Sequence, residues 1–189
     1  DCVILALKKL VGPVDLVVSG INSGANIGTD ILVSGTVGAA IQSYSKGISS
    51  IAISVTALKP TGFNAAAEFL KGLIQQSQKD IFTEPVLLNI NVPNISRDEI
   101  KGIEITRLAQ ASFLGDVVEE EDGKRPYYWI SRGKPKLQIR KGTDIWAIRR
   151  RNCISITPLH INMTKSEMFP KLKDISVNLL PILQQINRG

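Results

Sequence analysis

The feature that most constrains the fold is an alternation of short apolar strands with amphipathic helices along the first 100 residues. The predicted strands cover residues 15–19, 50–55 and 85–92. The predicted helices run from Asp1 to Gly12, from Thr36 to Lys46 and from Asn64 to Gln78. Strands that alternate with helices are joined by right-handed crossovers, so we predict an α/β fold with a mostly parallel sheet covered on both faces.

The pattern changes after Pro93. Ile103 and Ile105 alternate with polar residues, which predicts a strand with one wet face. Asp122-Gly123 is a turn signal ahead of the aromatic run 127–130, which indicates an extended β-hairpin arm. An arm of this kind buries little surface of its own, so we expect another subunit to cover it.

The remainder of the chain is predicted to return to the core and to end in a tail. Thr143 and Asp144 begin a short helix through Arg149, residues 153–157 form a strand, and the last residues are helical with interruptions at Pro170 and Pro181. The predicted units are a core at 1–100, a hairpin arm at 101–142, a return to the core at 143–165 and a helical tail at 166–189.

Composition excludes several classes of protein. The two cysteines, Cys2 and Cys153, cannot build a disulfide framework or a four-thiolate zinc site. The only histidine, His160, weakens the case for zinc catalysis or a Ser-His-Asp hydrolase, and we expect it to be structural. No apolar run approaches the ~20 residues that span a bilayer, and no apolar leader opens the sequence, so we expect a cytoplasmic chain without a membrane partner.

The net charge of +6 lies in the second half of the chain. Residues 1–100 carry 7 basic and 8 acidic side chains, whereas residues 101–189 carry 16 and 9. A basic surface attracts nucleotides, polyphosphate, RNA or the acidic face of a partner, and an ordinary solvated surface is the alternative.

The loop after the first strand offers the most specific chemistry. Residues 19–30 read SGINSGANIGTD, and Ser34, Gly35 and Thr36 open the next helix. The amide and carboxylate oxygens at Asn22, Asn26 and Asp30 suit a hard cation such as Mg2+ or Mn2+, and a helix start binds phosphate. The spacing matches neither the dinucleotide fingerprint nor a P-loop, and an ordinary glycine-rich turn remains the alternative.

These residues carry a family resemblance. Residues 16–30 and 34–40, followed by KGIEITR at 101–107, YYWI at 127–130, GTD at 142–144 and SITPLH at 155–160, resemble the SurE family, the survival-protein-E nucleotidases. The resemblance implies a phosphatase that uses one divalent cation, Mg2+ or Mn2+, and acts on nucleoside 5′- and 3′-monophosphates, in some members also on polyphosphate. It also implies a Rossmann-like core, a protruding hairpin, and a C-terminal segment exchanged within a homodimer or homotetramer.

Positions carry over from the family one by one. Asn22 matches the asparagine that binds the metal, and Asn26, Ser34, Gly35 and Thr36 match residues around the phosphate. Asp30 matches an acidic position of the family, and its role is left open. The sequence departs from the family pattern at two positions, with Val33 where tyrosine is usual and Asn162 where aspartate is common.

One part of the family pattern has no counterpart in this sequence. Members begin with a strand that ends in Asn-Asp-Asp-Gly, whose paired aspartates bind the metal, whereas this sequence begins with the helix after those elements. The catalytic residues are therefore unknown and expected upstream of Asp1, and we expect the chain alone to be nearly inactive.

Two other functions compete with the enzyme. A polyanion- or RNA-binding module is favoured by Arg149, Arg150 and Arg151 and by the three aromatics at 127–129. Arginines in the last turn of a helix also complement its dipole, so we expect no specific nucleic acid partner. An assembly module is favoured by the arm and the tail.

Overall fold

The computed structural model describes residues 1–59, 62–77, 84–123, 125–133 and 139–186. The strands in these ranges are β1 Leu16–Ser23, β2 Ser49–Val55, β3 Leu87–Val92, β4 Gly102–Ile105, β5 Leu114–Glu121, β6 Pro126–Arg132 and β7 Cys153–Pro158. The α-helices are α1 Cys2–Leu5, α2 Gly35–Tyr44, α3 Asn64–Ser77, α4 Asp144–Arg151 and α5 Phe169–Ile186. A π-helical turn, Ala6–Leu10, continues α1, and short 3-10 turns lie at Gly28–Val33, Arg97–Glu99 and Ser166–Met168.

The central sheet has five strands in the order β1-β2-β3-β7-β4. The pairs β1/β2 and β2/β3 are parallel, as the alternation of helices and strands predicts. β7 runs antiparallel to β3, and β4 runs parallel to β7. The prediction of an α/β fold with a mostly parallel sheet is therefore confirmed.

The two faces of the sheet are covered by different helices, because side chains along a strand point alternately to opposite faces. On one face, Ile53 and Ile90 belong to an apolar core against which Phe69 and Leu73 of α3 pack. On the other face, Ala52 packs with Val37 and Ala40 of α2, and α4 contacts β3 and β7. These three layers place the loop after β1 on the α2 side of the sheet.

β4 shows the predicted alternation, with an unexpected choice of exposed face. Ile103 and Ile105 are 57% and 70% exposed, whereas Glu104 is half-buried. β4 is the edge strand, and α3 contacts β2 in the interior of the sheet, so the apolar face of β4 extends beyond its covering helix.

The arm and the tail carry many exposed apolar side chains. The hairpin of β5 and β6 turns at Gly123, whose φ is +82°, as the turn signal predicts.

The tail is formed by α5, which is continuous through Pro181, so the predicted interruption there is wrong. Pro170 lies in the first helical turn, where proline is tolerated. Within the described ranges, no helix has both the length and the apolarity needed to cross a membrane.

Candidate active site

A row of polar side chains crosses the sheet just before the carboxyl ends of the parallel strands. Asn22 of β1 is in register with Ser54 of β2, Ser54 with Asn91 of β3, and Asn91 with Ser155 of β7. Residues in register lie on the same face of a sheet, so these side chains form one line under the loop that follows β1. Ser54, Asn91 and Ser155 are fully buried, which makes their hydrogen bonds important for stability.

This row holds the loop at Asn26. The main-chain N–H of Asn26 donates to Asn91 Oδ1 at 2.9 Å, and its carbonyl accepts from Asn91 Nδ2 at 2.8 Å and from Asn89 Nδ2 at 2.9 Å. Its side-chain Nδ2 donates to Ser54 Oγ at 2.7 Å, and Asn26 is only 8% exposed. Asn26 and Asn22 are thus brought together through Ser54, and Asn26 anchors the loop.

Asp144 holds the same loop two residues further on. Its Oδ2 accepts from the N–H of Gly28 at 2.8 Å, and its Oδ1 accepts from the N–H groups of Ala109 at 3.0 Å and Ile145 at 2.8 Å. The residue is fully buried. Burial raises the pKa of this carboxyl above its ordinary value, and the three backbone N–H donors act in the opposite direction.

Gly28 has no room for a side chain. Its φ is +58°, and a Cβ at this position would overlap the carbonyl oxygen of Ala111. The N–H of Thr29 donates to that carbonyl at 3.0 Å, so the loop and the segment around Ala111 lie directly against each other. A glycine is therefore required at this crossing.

The role of Asp30, which the sequence leaves open, is to join the loop to the base of the arm. Its carboxylate accepts a hydrogen bond from Ser112 Oγ and another from the N–H of Phe113 at 3.0 Å. Both oxygens of Asp30 therefore have partners within the protein.

Asn22 differs from these anchors because half of its amide is unused. Its Nδ2 donates to the carbonyl of Gly24 at 2.7 Å, and among the described residues its Oδ1 accepts no hydrogen bond. The register of β1 shifts between Ser19 and Asn22, and the peptide bond between Gly20 and Ile21 is cis. Asn22 is half-buried at the end of β1, so its free oxygen is available to a ligand.

The start of α2 provides hydrogen-bond donors on the same side of the sheet. Ser34 is the N-cap, and its Oγ accepts from the N–H of Val37 at 3.1 Å. Within the described residues, the N–H groups of Gly35 and Thr36 have no acceptor, and Gly35 is exposed. Unpaired N–H groups in the first turn of a helix are suited to bind an anion.

The described residues do not form a complete cation site by themselves. In the part of the chain that the structure describes, no three His, Cys, Asp or Glu side chains group together in a way that would hold a metal ion. Asn22 Oδ1 is a neutral, single oxygen, whereas Mg2+ prefers six oxygen ligands. Asn22 therefore fits a hard cation as one ligand, and the rest of the coordination sphere must come from other groups.

Comparison with known proteins identifies the family. The sequence model described as "Survival protein SurE" matches residues 1–114, which is more than half of the 189-residue chain. The chain belongs to the SurE family. The resemblance noted in the sequence is thereby confirmed.

Curated relatives are similar in sequence to this SurE chain over most of its length. It is similar to "5'-nucleotidase SurE" of Dehalococcoides mccartyi, with 43% identity over 177 residues, covering 92% of this chain and 66% of that protein. It is 40% identical to "5'-nucleotidase SurE" of Methylobacillus flagellatus over 176 residues, or 92% of this chain and 71% of the relative. The chain thus spans about two thirds of the length of these relatives.

A solved SurE structure has the same fold. The crystal structure of the SurE protein from Aquifex aeolicus superposes with a TM-score of 0.77 at 34% sequence identity. The match covers 93% of this chain and 72% of that one.

Sequence reasoning missed the residues that hold the loop from beneath. Asn89 and Asn91 are the polar residues of a strand that otherwise reads as apolar, LLNINV. Their spacing of two puts them on one face, and buried amides require partners, so this was a usable signal. The sequence marks Asp144 as a helix start and as part of the GTD motif at 142–144, but neither feature indicates that it is fully buried and accepts a hydrogen bond from Gly28.

Proposed function

We propose that this chain carries the phosphate-binding groups and one cation ligand of a phosphomonoesterase site for nucleoside 5′- and 3′-monophosphates, a site that works with one divalent cation, Mg2+ or Mn2+. The observation that carries the proposal is the free Oδ1 of Asn22 at the end of β1, on the face of the sheet against which α2 packs. The proposal is supported by the names of the relatives, which are 5'-nucleotidases. Polyphosphate is a further candidate substrate.

The residues of the chain have separate roles in this proposal. Asn22 contributes one oxygen ligand to the cation, and the N–H groups of Gly35 and Thr36 and the Thr36 hydroxyl donate to phosphate oxygens. Ser34 fixes the geometry of this helix start through its N-cap bond to Val37. Donors that are held in place before the substrate binds stabilise the charge of the transition state without rearranging.

Asn26 and Asp144 hold the loop between these groups. We predict that Asn26 lies next to the phosphate, and its buried amide already donates to Ser54. A loop anchored at two neighbouring residues keeps Asn22 and the start of α2 at a fixed separation. Catalysis by proximity and orientation requires such a fixed separation.

A divalent cation, when bound, acts as a Lewis acid on the phosphoryl oxygens. A single neutral oxygen binds such a cation weakly, so we propose that the acidic residues of the family's first strand complete the site. The 189-residue chain alone is then expected to hydrolyse nucleoside monophosphates at a negligible rate.

The test compares two proteins, both chelated and then resupplied with Mn2+ or Mg2+. One is this chain, and the other is the same chain preceded by a family strand that ends in Asn-Asp-Asp-Gly. We expect release of inorganic phosphate from AMP by the second protein and a rate at background for the first. Equal rates for the two proteins would overturn the assignment of the ligands, and no metal-dependent hydrolysis by either would overturn the function.

We further propose that the units at 101–142 and 166–189 serve assembly into a homodimer or homotetramer. This is supported by exposed apolar side chains in both units, among them Val117 at 64%, Trp129 at 60% and Val177 at 73%. Burying such surfaces in a partner subunit removes apolar area from water. Light scattering that gives the mass of a monomer at micromolar concentration would contradict this proposal.

The cytoplasmic location expected from the sequence stays a prediction.

A further inference from the structure

A cleft of about 170 Å³ opens beside the loop that follows β1. Its walls come from the loop, from the segment after β2 and from the base of the arm. Residues that line it include Gly24, Ala25, Thr56, Leu58, Phe113 and Gly133. The cleft therefore lies at the carboxyl edge of β1 and β2, where open α/β sheets bind their ligands.

Arg149 forms the charged side of this cleft. Its guanidinium carbon lies 4.6 Å from the centre of the Phe113 ring, and Phe113 is only 8% exposed. The ring therefore holds the guanidinium in place through a cation–π contact. Within the described residues, Arg149 makes no ion pair and no hydrogen bond, so its N–H groups are free to meet a ligand.

The chemistry of the cleft favours a neutral ring over a second phosphoryl group. Asp30 also lines the cleft, so the two charged side chains of the cleft have opposite signs and the cleft has no net positive charge to attract a second anion. Ala25, Ile27 and Leu58 contribute apolar surface. Apolar walls with a few polar groups suit a heterocycle or a sugar, and a cleft below ~300 Å³ holds only part of a ligand.

The cleft adjoins the residue that the proposed function places on the cation. Gly24 lines the cleft, and its carbonyl accepts the hydrogen bond from Asn22 Nδ2 at 2.7 Å. A ligand in the cleft is therefore a near neighbour of a phosphate bound next to Asn22.

We propose that this cleft is the nucleoside subsite of the enzyme and that Arg149 is its specificity-determining residue. The base or ribose lies against the apolar wall, and the free N–H edge of the guanidinium donates to its oxygen or nitrogen atoms. The inference rests on the proposed function, because it takes the nucleoside to be the part of the substrate beyond the phosphate.

The experiment measures dissociation constants of the 189-residue chain for adenosine, AMP and inorganic phosphate by NMR titration. The variants are Arg149→Ala and Arg149→Lys, and Arg150→Ala is the matched control because Arg150 is the next, also exposed arginine of α4. We expect both Arg149 variants to weaken adenosine and AMP binding about tenfold, since lysine lacks the planar fork. Phosphate binding by these variants and all binding by Arg150→Ala should stay unchanged.

Two results would overturn the inference. One is unchanged adenosine binding in Arg149→Ala. The other is an equal loss of inorganic phosphate and AMP binding, which would make Arg149 a phosphate ligand. Adenosine carries no phosphate, so its binding is measured independently of hydrolysis. Absence of AMP hydrolysis in the extended protein would therefore overturn the proposed function without deciding the role of Arg149.

Discussion

Asp144 accepts a hydrogen bond from the main-chain N–H of Gly28 at 2.8 Å, across 116 residues of sequence. The other oxygen of the same carboxylate accepts from Ala109 and Ile145. One buried side chain at the start of α4 therefore fixes the candidate loop, the segment after β4 and its own helix relative to one another. The geometry of the candidate site depends on a residue that does not belong to it.

Replacing Asp144 by alanine should destabilise the protein by about 3 kcal/mol, because three buried N–H groups lose their acceptor. Chemical denaturation followed by circular dichroism measures the free energy of unfolding. Asp174→Ala is the control, since Asp174 is exposed on α5, and it should change the free energy by less than about 0.5 kcal/mol. Equal small effects of both substitutions would contradict the role assigned to Asp144.

The pH dependence of stability should carry the signature of Asp144. Burial raises the pKa of this carboxyl above its ordinary 3.8 in the folded protein. Between the ordinary pKa of the unfolded state and the higher pKa of the folded state, the folded state binds more protons than the unfolded state. The free energy of unfolding therefore falls as pH rises through this range. Asp144→Asn lacks this titration. The stability of the wild type relative to this variant should therefore fall as pH rises above 3.8, and a rise would contradict the prediction.

Gly28→Ala should destabilise the protein by about 2 kcal/mol or more, because φ is +58° and the new Cβ would overlap the carbonyl oxygen of Ala111. Gly72→Ala is the matched control. Gly72 lies within α3, is exposed and has open space around it, so alanine there should stabilise the helix by about 0.5–1 kcal/mol. Thermal unfolding of the two variants measures both effects, and an unfolding temperature of Gly28→Ala equal to or above that of the wild type would contradict the close crossing.

The two cysteines should react at very different rates. Cys2 is exposed, whereas Cys153 is 4% exposed in β7, as expected for a buried strand residue. Burial, with Glu104 nearby, raises the pKa of the Cys153 thiol, which lowers its thiolate fraction. A thiol-reactive dye should label Cys2 in the native protein and Cys153 only after denaturation. Native labelling of a Cys2→Ser variant at a comparable rate would show that β7 is not buried as described.

Much of the fold is local information and could be predicted from the sequence. The apolar runs that became β1, β2 and β3 and the turn at Gly123 follow from periodicity and turn chemistry. The direction of β7 could not be read this way, because the sequence of a strand does not specify which neighbour it pairs with. The continuity of α5 through Pro181 also differs from the prediction, since proline within a helical pattern usually indicates a break.

The candidate site also contains some residues that could be predicted from the sequence and others that could not. Asn22 and the Ser34-Gly35-Thr36 turn are contiguous with a recognisable loop, so the sequence identified them as candidates. The anchors Asn91 and Asp144 contact that loop from distant positions in the chain, and pairings of this kind come from tertiary structure. The cleft around Arg149 combines three separate segments, which no local pattern reveals.

The most direct test of the central claim, that Asn22 is part of a phosphatase site, is the rate of Mn2+-dependent phosphate release from AMP. The assay uses the protein extended by the acidic family strand, with Asn22→Ala compared with Asn178→Ala, an exposed asparagine of α5. We predict a loss of about 100-fold or more for Asn22→Ala, because an oxygen ligand of the cation is removed, and no loss for Asn178→Ala. A rate for Asn22→Ala equal to that of the control would contradict the claim.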